Sequence, residues 1–135
     1  MSFGAYLAGT WEKRFGLDTT IQIVNPTVED LEVTVAFLDN NEKFLTCVKN
    51  ELSPNDLWEI VMPEELKESR GFGVIKAISH RRNEVMPGII GFKRHFLVVP
   101  GGKVPEIAFS EAPLAAMPLE IAKQEYRRFQ DKCPH

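Results

Sequence analysis

Residues 19–48 read TTIQIVNPTVEDLEVTVAFLDNNEKFLTCV. Ile21 and Ile23 alternate with Thr20 and Gln22, and the run stops at Asn25-Pro26. Leu31, Val33, Val35 and Phe37 alternate with Glu32, Thr34 and Ala36 before a polar turn at Asp39-Asn40-Asn41-Glu42. Phe44 to Val48 then leads back. A period of two, with β-branched and aromatic residues on one side, marks half-buried antiparallel strands. The stretch therefore reads as one hairpin unit, residues 19–48, at the centre of a β protein. Val35 and Phe37 should face the core from a central strand, with Trp58 largely buried nearby.

Working outward, an edge strand is expected around Tyr6 to Trp11. Trp11 should close one end of the core and find a partner for its indole N–H. Ser53-Pro54-Asn55-Asp56 is a dense turn signal, followed by a strand from Leu57 to Met62. Pro63 ends that strand and suits the start of one helical turn over Glu64–Glu68. Val74 to Ser79 is the next strand, and His80-Arg81-Arg82-Asn83-Glu84 is a polar turn. Ile89 to Val99 is long for one strand, so Gly91 marks a bulge or a close backbone approach. Pro100 to Lys103 is a turn, and Val104 to Phe109 a last short strand. Before residue 110 no helix is long enough for a parallel crossover. The fold class is mainly β: an antiparallel β-sandwich, or flattened barrel, of about six to eight strands with a C-terminal α-helix.

Residues 1–111 form the sandwich domain, and residues 112–135 an apolar linker with an amphipathic helix. Leu119, Ala122, Tyr126, Phe129 and Cys133 are spaced three, four, three and four apart, a narrow seam on one helix face. A helix of about 15 residues is marginal alone and needs a partner surface. The two-heptad seam points to a neighbouring subunit, with Leu114, Met117, Leu119, Ala122, Tyr126 and Phe129 as the oligomer contact. The alternative is a helix lying on its own sandwich.

A chain of 135 residues with 44% hydrophobic and 26% charged residues fits one globular domain and argues against disorder. Its net charge of −3 argues against nonspecific nucleic-acid binding by the whole surface. Neither a secretory leader nor a membrane span is read, so a cytoplasmic location is expected. Cys47 and Cys133 form no motif and are read as two free thiols in a reducing compartment.

Charge is unevenly spread. Residues 26–69 hold eleven acidic residues against three lysines, whereas residues 71–105 hold six basic residues against Glu84 alone. Solvated strand faces that pair with one another explain this simply. The sharper reading is an anion-binding face, because guanidinium groups take phosphate or carboxylate bidentately. Its candidates are Arg81, Arg82, His80, Lys93 and His95, with Arg81 and Arg82 the freer pair. Phe92 and Phe96 interleave with the basic residues, a weak pointer to nucleic acid. His80, His95 and His135 lack metal-site spacing, and Gly101-Gly102-Lys103 lacks the rest of a phosphate loop. No catalytic residue, metal or cofactor is assigned.

The run Ile21 to Pro26, then Val33 to Asp39, and the later strand Gly73 to Ser79 resemble small bacterial β-sandwich domains such as the soluble sensory rhodopsin transducer-like family. The resemblance covers roughly residues 19–99 and rests on strand pattern. It implies a cytoplasmic, homo-oligomeric sandwich that acts through binding. The expected function is thus a non-catalytic homo-oligomeric binding or scaffold module, with itself or another protein as partner. The alternative is a module for an anionic ligand, glycan or nucleic acid, using the basic turn and strands within residues 76–103. An enzyme of unrecognised type is the third reading.

Overall fold

The computed structural model describes residues 3–14, 16–68, 70–98 and 106–133. In chain order the strands are β1 (Phe3–Gly4), β2 (Tyr6–Glu12), β3 (Leu17–Val24), β4 (Leu31–Asp39), β5 (Phe44–Leu52) and β6 (Leu57–Val61). A 3-10 turn at Glu64–Glu68 precedes β7 (Phe72–Arg81), β8 (Glu84–Val85), β9 (Ile89–Val98), β10 (Glu106–Pro113) and β11 (Ala115–Ala116). Helix α1 spans Leu119–Gln130 behind Pro118. The first sheet runs β1-β9-β3-β6 with β10 also on β9. The second runs β11-β2-β7-β4-β5 with β8 on β7. Every pairing is antiparallel, and the sheets stack as a sandwich rather than closing into a barrel.

Alternation assigns the faces. Val33, Val35, Phe37, Ile75, Leu7 and Trp11 of the second sheet meet Ile21, Ile23, Ile60 and Ile89 of the first, all buried. Trp11 is fully buried, and its Nε1 donates to the Leu38 carbonyl at 3.0 Å. Gly73 makes that bond attainable, because a Cβ there would run into the Leu38 carbonyl and the indole nitrogen. Gly91 is a close approach, not a bulge: a Cβ would lie 2.7 Å from a Leu114 methyl and 2.9 Å from a Leu7 methyl. The expected strand at Tyr6 to Trp11 is β2, near its sheet's edge, with only the short β11 beyond it.

Several expectations are corrected. Residues 19–48 are not one hairpin unit. The hairpin is β4–β5, whereas β3 lies in the other sheet between β6 and β9. Asn25 makes the crossing. It is fully buried, and its Nδ2 donates to the carbonyls of Glu29 (2.7 Å) and Leu52 (2.9 Å) while Oδ1 accepts from Thr27. A buried amide with all these bonds made fixes where the chain turns from one sheet to the other. Trp58 is half-buried at the end of the core, because β6 is the edge of its sheet. The segment read as a linker is mostly strand, ending in β10 and β11.

The largest correction concerns the tail. Helix α1 lies on its own second sheet, so the molecule has three layers. Ala122, Tyr126 and Phe129 pack with Ala5, Tyr6, Ala36, Leu38 and Ile78. Cys47 of β5 and Cys133 just beyond the helix are joined by a disulfide, not two free thiols. Leu114 is fully buried in the inter-sheet core. The seam is real, but its partner surface is the chain's own sheet.

Candidate functional site

The β7–β8 hairpin and helix α1 form two walls of a cleft. Arg82 and Asn83 connect β7 to β8, with φ of 53° and 65°. Two successive positive φ values are the mark of a type I′ connection, whose twist suits antiparallel strands. Asn tolerates this region well, whereas for Arg82 it is uncommon. Behind the turn, the Ser79 hydroxyl donates to the Met86 carbonyl and the Met86 N–H to the Ser79 carbonyl. Arg81 is neutralised by Glu29.

The cleft has a volume of about 500 Å³. The hairpin contributes Asn83, Glu84 and Val85, and the helix contributes Leu119, Lys123, Tyr126, Arg127 and Gln130. Lys123, Arg127 and the nearby Arg82 are exposed, and none of the three has an ion pair among the described residues. A second hollow of about 570 Å³ lies against the same hairpin, lined by Glu29, Arg81, Arg82 and Met86 with Glu84 and Val85 shared.

Tyr126 is the floor, 8% exposed, its ring 4.6 Å from that of His80. His80 is buried, and its Nε2 lies 2.8 Å from the Thr34 hydroxyl. Nδ1 is 3.4 Å from a Glu32 carboxylate oxygen but makes no hydrogen bond. Burial holds the imidazole below its ordinary pKa, although the Glu32 carboxylate pulls the other way. Burial, and then Glu32, raises the Tyr126 phenol. At neutral pH His80 is therefore an uncharged ring supporting a protonated tyrosine.

The five expected ligand residues do not converge. His80, Arg81 and Arg82 are at the hairpin end of the second sheet. Lys93 and His95 are on β9 of the first sheet, at the other end of the sandwich. Lys93 Nζ donates to Thr10 at 2.8 Å, and Thr10 pairs with Val74. Six residues along β7 separate Val74 from His80, roughly 20 Å at strand rise. His95 is bonded to the Thr19 hydroxyl at 2.9 Å. Burial lowers the pKa of both Lys93 and His95, with the Lys93 charge adding to the effect on His95. Lys103 and His135 lie outside the described residues.

Of the expected oligomer contacts, Leu114, Ala122, Tyr126 and Phe129 are buried within the subunit, Met117 is half-buried and Leu119 is exposed. Sequence reasoning passed over Lys123 and read Arg127 only as an i,i+4 partner of Asp131, a pair that is not among the ion pairs of the described residues. The signal of Lys123 and Arg127 was an i,i+4 cation pair beside the apolar seam. Lys76, counted in the basic set, is instead 5% exposed beneath the helix, and its Nζ sits 3.0 Å from Glu42 and 3.1 Å from Glu125. Burial pushes the Lys76 pKa down, but the two carboxylates outweigh it and the net shift is upward. Arg128 completes this clasp by donating to the Glu42 carbonyl at 2.7 Å.

No family model matches the chain, and no curated protein matches it. The chain is similar to the solved crystal structure of Thermotoga maritima 1070. The two are 16% identical, with 86% of this chain and 95% of that chain covered, at a TM-score of 0.57. At that identity the likeness concerns the fold alone. Among the described residues no helix is long and apolar enough to cross a membrane.

Proposed function

We propose that the chain is a non-catalytic binding or scaffold module that works as a homo-oligomer, using the outer face of the β9-β3-β6 sheet. The carrying observation is an asymmetry between the two sheets. The second sheet's outer face lies under α1, whereas no described element covers the first sheet's outer face. Register places Leu57, Val24 and Ile90 in one row across it, Glu59, Gln22 and Phe92 in the next, and Val61, Thr20 and Arg94 in the third. Leu57 is 55% and Val61 69% exposed. Aliphatic side chains gathered on an open sheet face favour a partner that removes them from water.

A second copy is the partner that this face suits. It carries Glu59 and Glu111 as well as Arg94, so a two-fold contact can set acid against base across the apolar rows. The resemblance to the soluble sensory rhodopsin transducer-like family implies the same kind of activity and a cytoplasmic setting. The free thiols no longer support that setting, since the cysteines are paired. Light scattering coupled to size exclusion tests the reading on the full chain. A mass that is a multiple of the chain's supports it. A monomer at about 50 µM ends it, because stable interfaces of standard size persist far below that concentration.

A further inference from the structure

We propose that the cleft between the β7–β8 hairpin and helix α1 binds a small organic anion: an oxyanion head, phosphate or carboxylate, on a short apolar body. The site lies on the helix layer, away from the open sheet face, so it stands independently of self-association.

Three observations carry it. Lys123 and Arg127 are one helical turn apart on the wall facing the hairpin, and Arg82, in the turn, lines the adjoining hollow. The nearby cation Arg81 is satisfied by Glu29, whereas these three have no ion pair among the described residues. An oxyanion bridging Lys123 and Arg127 would gain charge-assisted hydrogen bonds from both side chains. Beside these cations and the polar Asn83, Glu84 and Gln130, the lining includes Leu119, 44% exposed, the half-buried Val85 and the Tyr126 ring, enough apolar surface for a short body.

The same geometry limits the ligand. About 500 Å³ is the size of a small-molecule site. Glu84 lies on the opposite wall and repels a second phosphate, so an extended polyanion is disfavoured. The floor is fixed from below, since Tyr126 rests on His80 and His80 on Thr34. A preformed floor lowers the ordering cost of binding.

Phenyl phosphate is the probe, titrated into the full chain by calorimetry and by amide NMR, with inorganic phosphate and a short single-stranded oligonucleotide in parallel. Saturable binding of phenyl phosphate should shift amides of residues 83–85 and 119–130. The Lys123→Gln, Arg127→Gln double variant should bind about tenfold more weakly or worse, because both partners of the head are lost. Lys43→Gln, an exposed cation in the β4–β5 turn, should leave affinity unchanged. Equal weakening in that control would reduce the effect to net charge and overturn the proposal. So would the absence of saturation at several times about 1 mM, the weak end of specific binding. Inorganic phosphate binding as tightly as phenyl phosphate removes the apolar body from the claim, and tighter oligonucleotide binding replaces the ligand class.

Discussion

Phe37 is fully buried on the inner face of β4, and Trp11 is fully buried with its one polar atom bonded. Phe37→Ala should cost about 3 to 5 kcal/mol in denaturant melts, the range for an emptied phenylalanine site. A loss below about 1 kcal/mol would contradict its placement in the core. His80 and His95 supply a pH signature. An imidazole held below its unfolded value of about 6.5 takes up its proton more readily in the unfolded chain. Its contribution to stability is complete above about pH 6.5 and is lost as the pH falls toward its folded value. The melting temperature should therefore drop between about pH 6.5 and 5, before most carboxylates protonate. In His80→Asn, whatever the starting melting temperature, its fall across that window should be shallower. Equal slopes in both proteins would show that His80 does not titrate against folding.

Helix α1 is held by three different devices: its apolar seam, the Lys76 clasp, and the Cys47–Cys133 disulfide. Thiol titration of the unfolded, unreduced protein should find no free cysteine, and two after reduction. Two thiols before reduction would contradict the pairing. The Cys47→Ala, Cys133→Ala variant should lose about 2 to 5 kcal/mol, since the bond closes a long loop in the unfolded chain. At this scale the sequence was partly legible. Alternation identified β3, β4 and β7, and the i,i+3/i+4 seam identified α1, because each pattern is local. It could not say which sheet β3 joins. That choice is made at Asn25, whose amide bonds the Glu29 and Leu52 carbonyls. Nor could the seam reveal whether its partner was the chain itself or a neighbour. The disulfide followed from that missing choice, for Cys133 meets Cys47 only when the helix docks at home.

Across the whole molecule, the acidic and basic halves of the sequence meet as neighbouring strands. Glu29 pairs with Arg81, Glu32 stands beside His80, and Glu42 reaches Lys76. The bland reading of the charge pattern thus accounts for much of the basic set. Lys123 and Arg127 belong to neither half, and their place beside Arg82 became visible only once α1 lay beside the β7–β8 hairpin. The sandwich itself was legible from strand count and turn spacing. The open face was not, because knowing that it is open requires knowing where the helix goes. That face carries the central claim, and sedimentation velocity on three full-length proteins tests it most directly. The wild type should sediment as an oligomer at about 50 µM. Leu57→Glu with Val61→Glu, two exposed positions on an edge strand, should give a monomer with an unchanged far-ultraviolet spectrum. Lys123→Gln with Arg127→Gln, on the helix layer, should remain oligomeric. A monomeric wild type, or an oligomer that survives the two glutamates, would contradict the account.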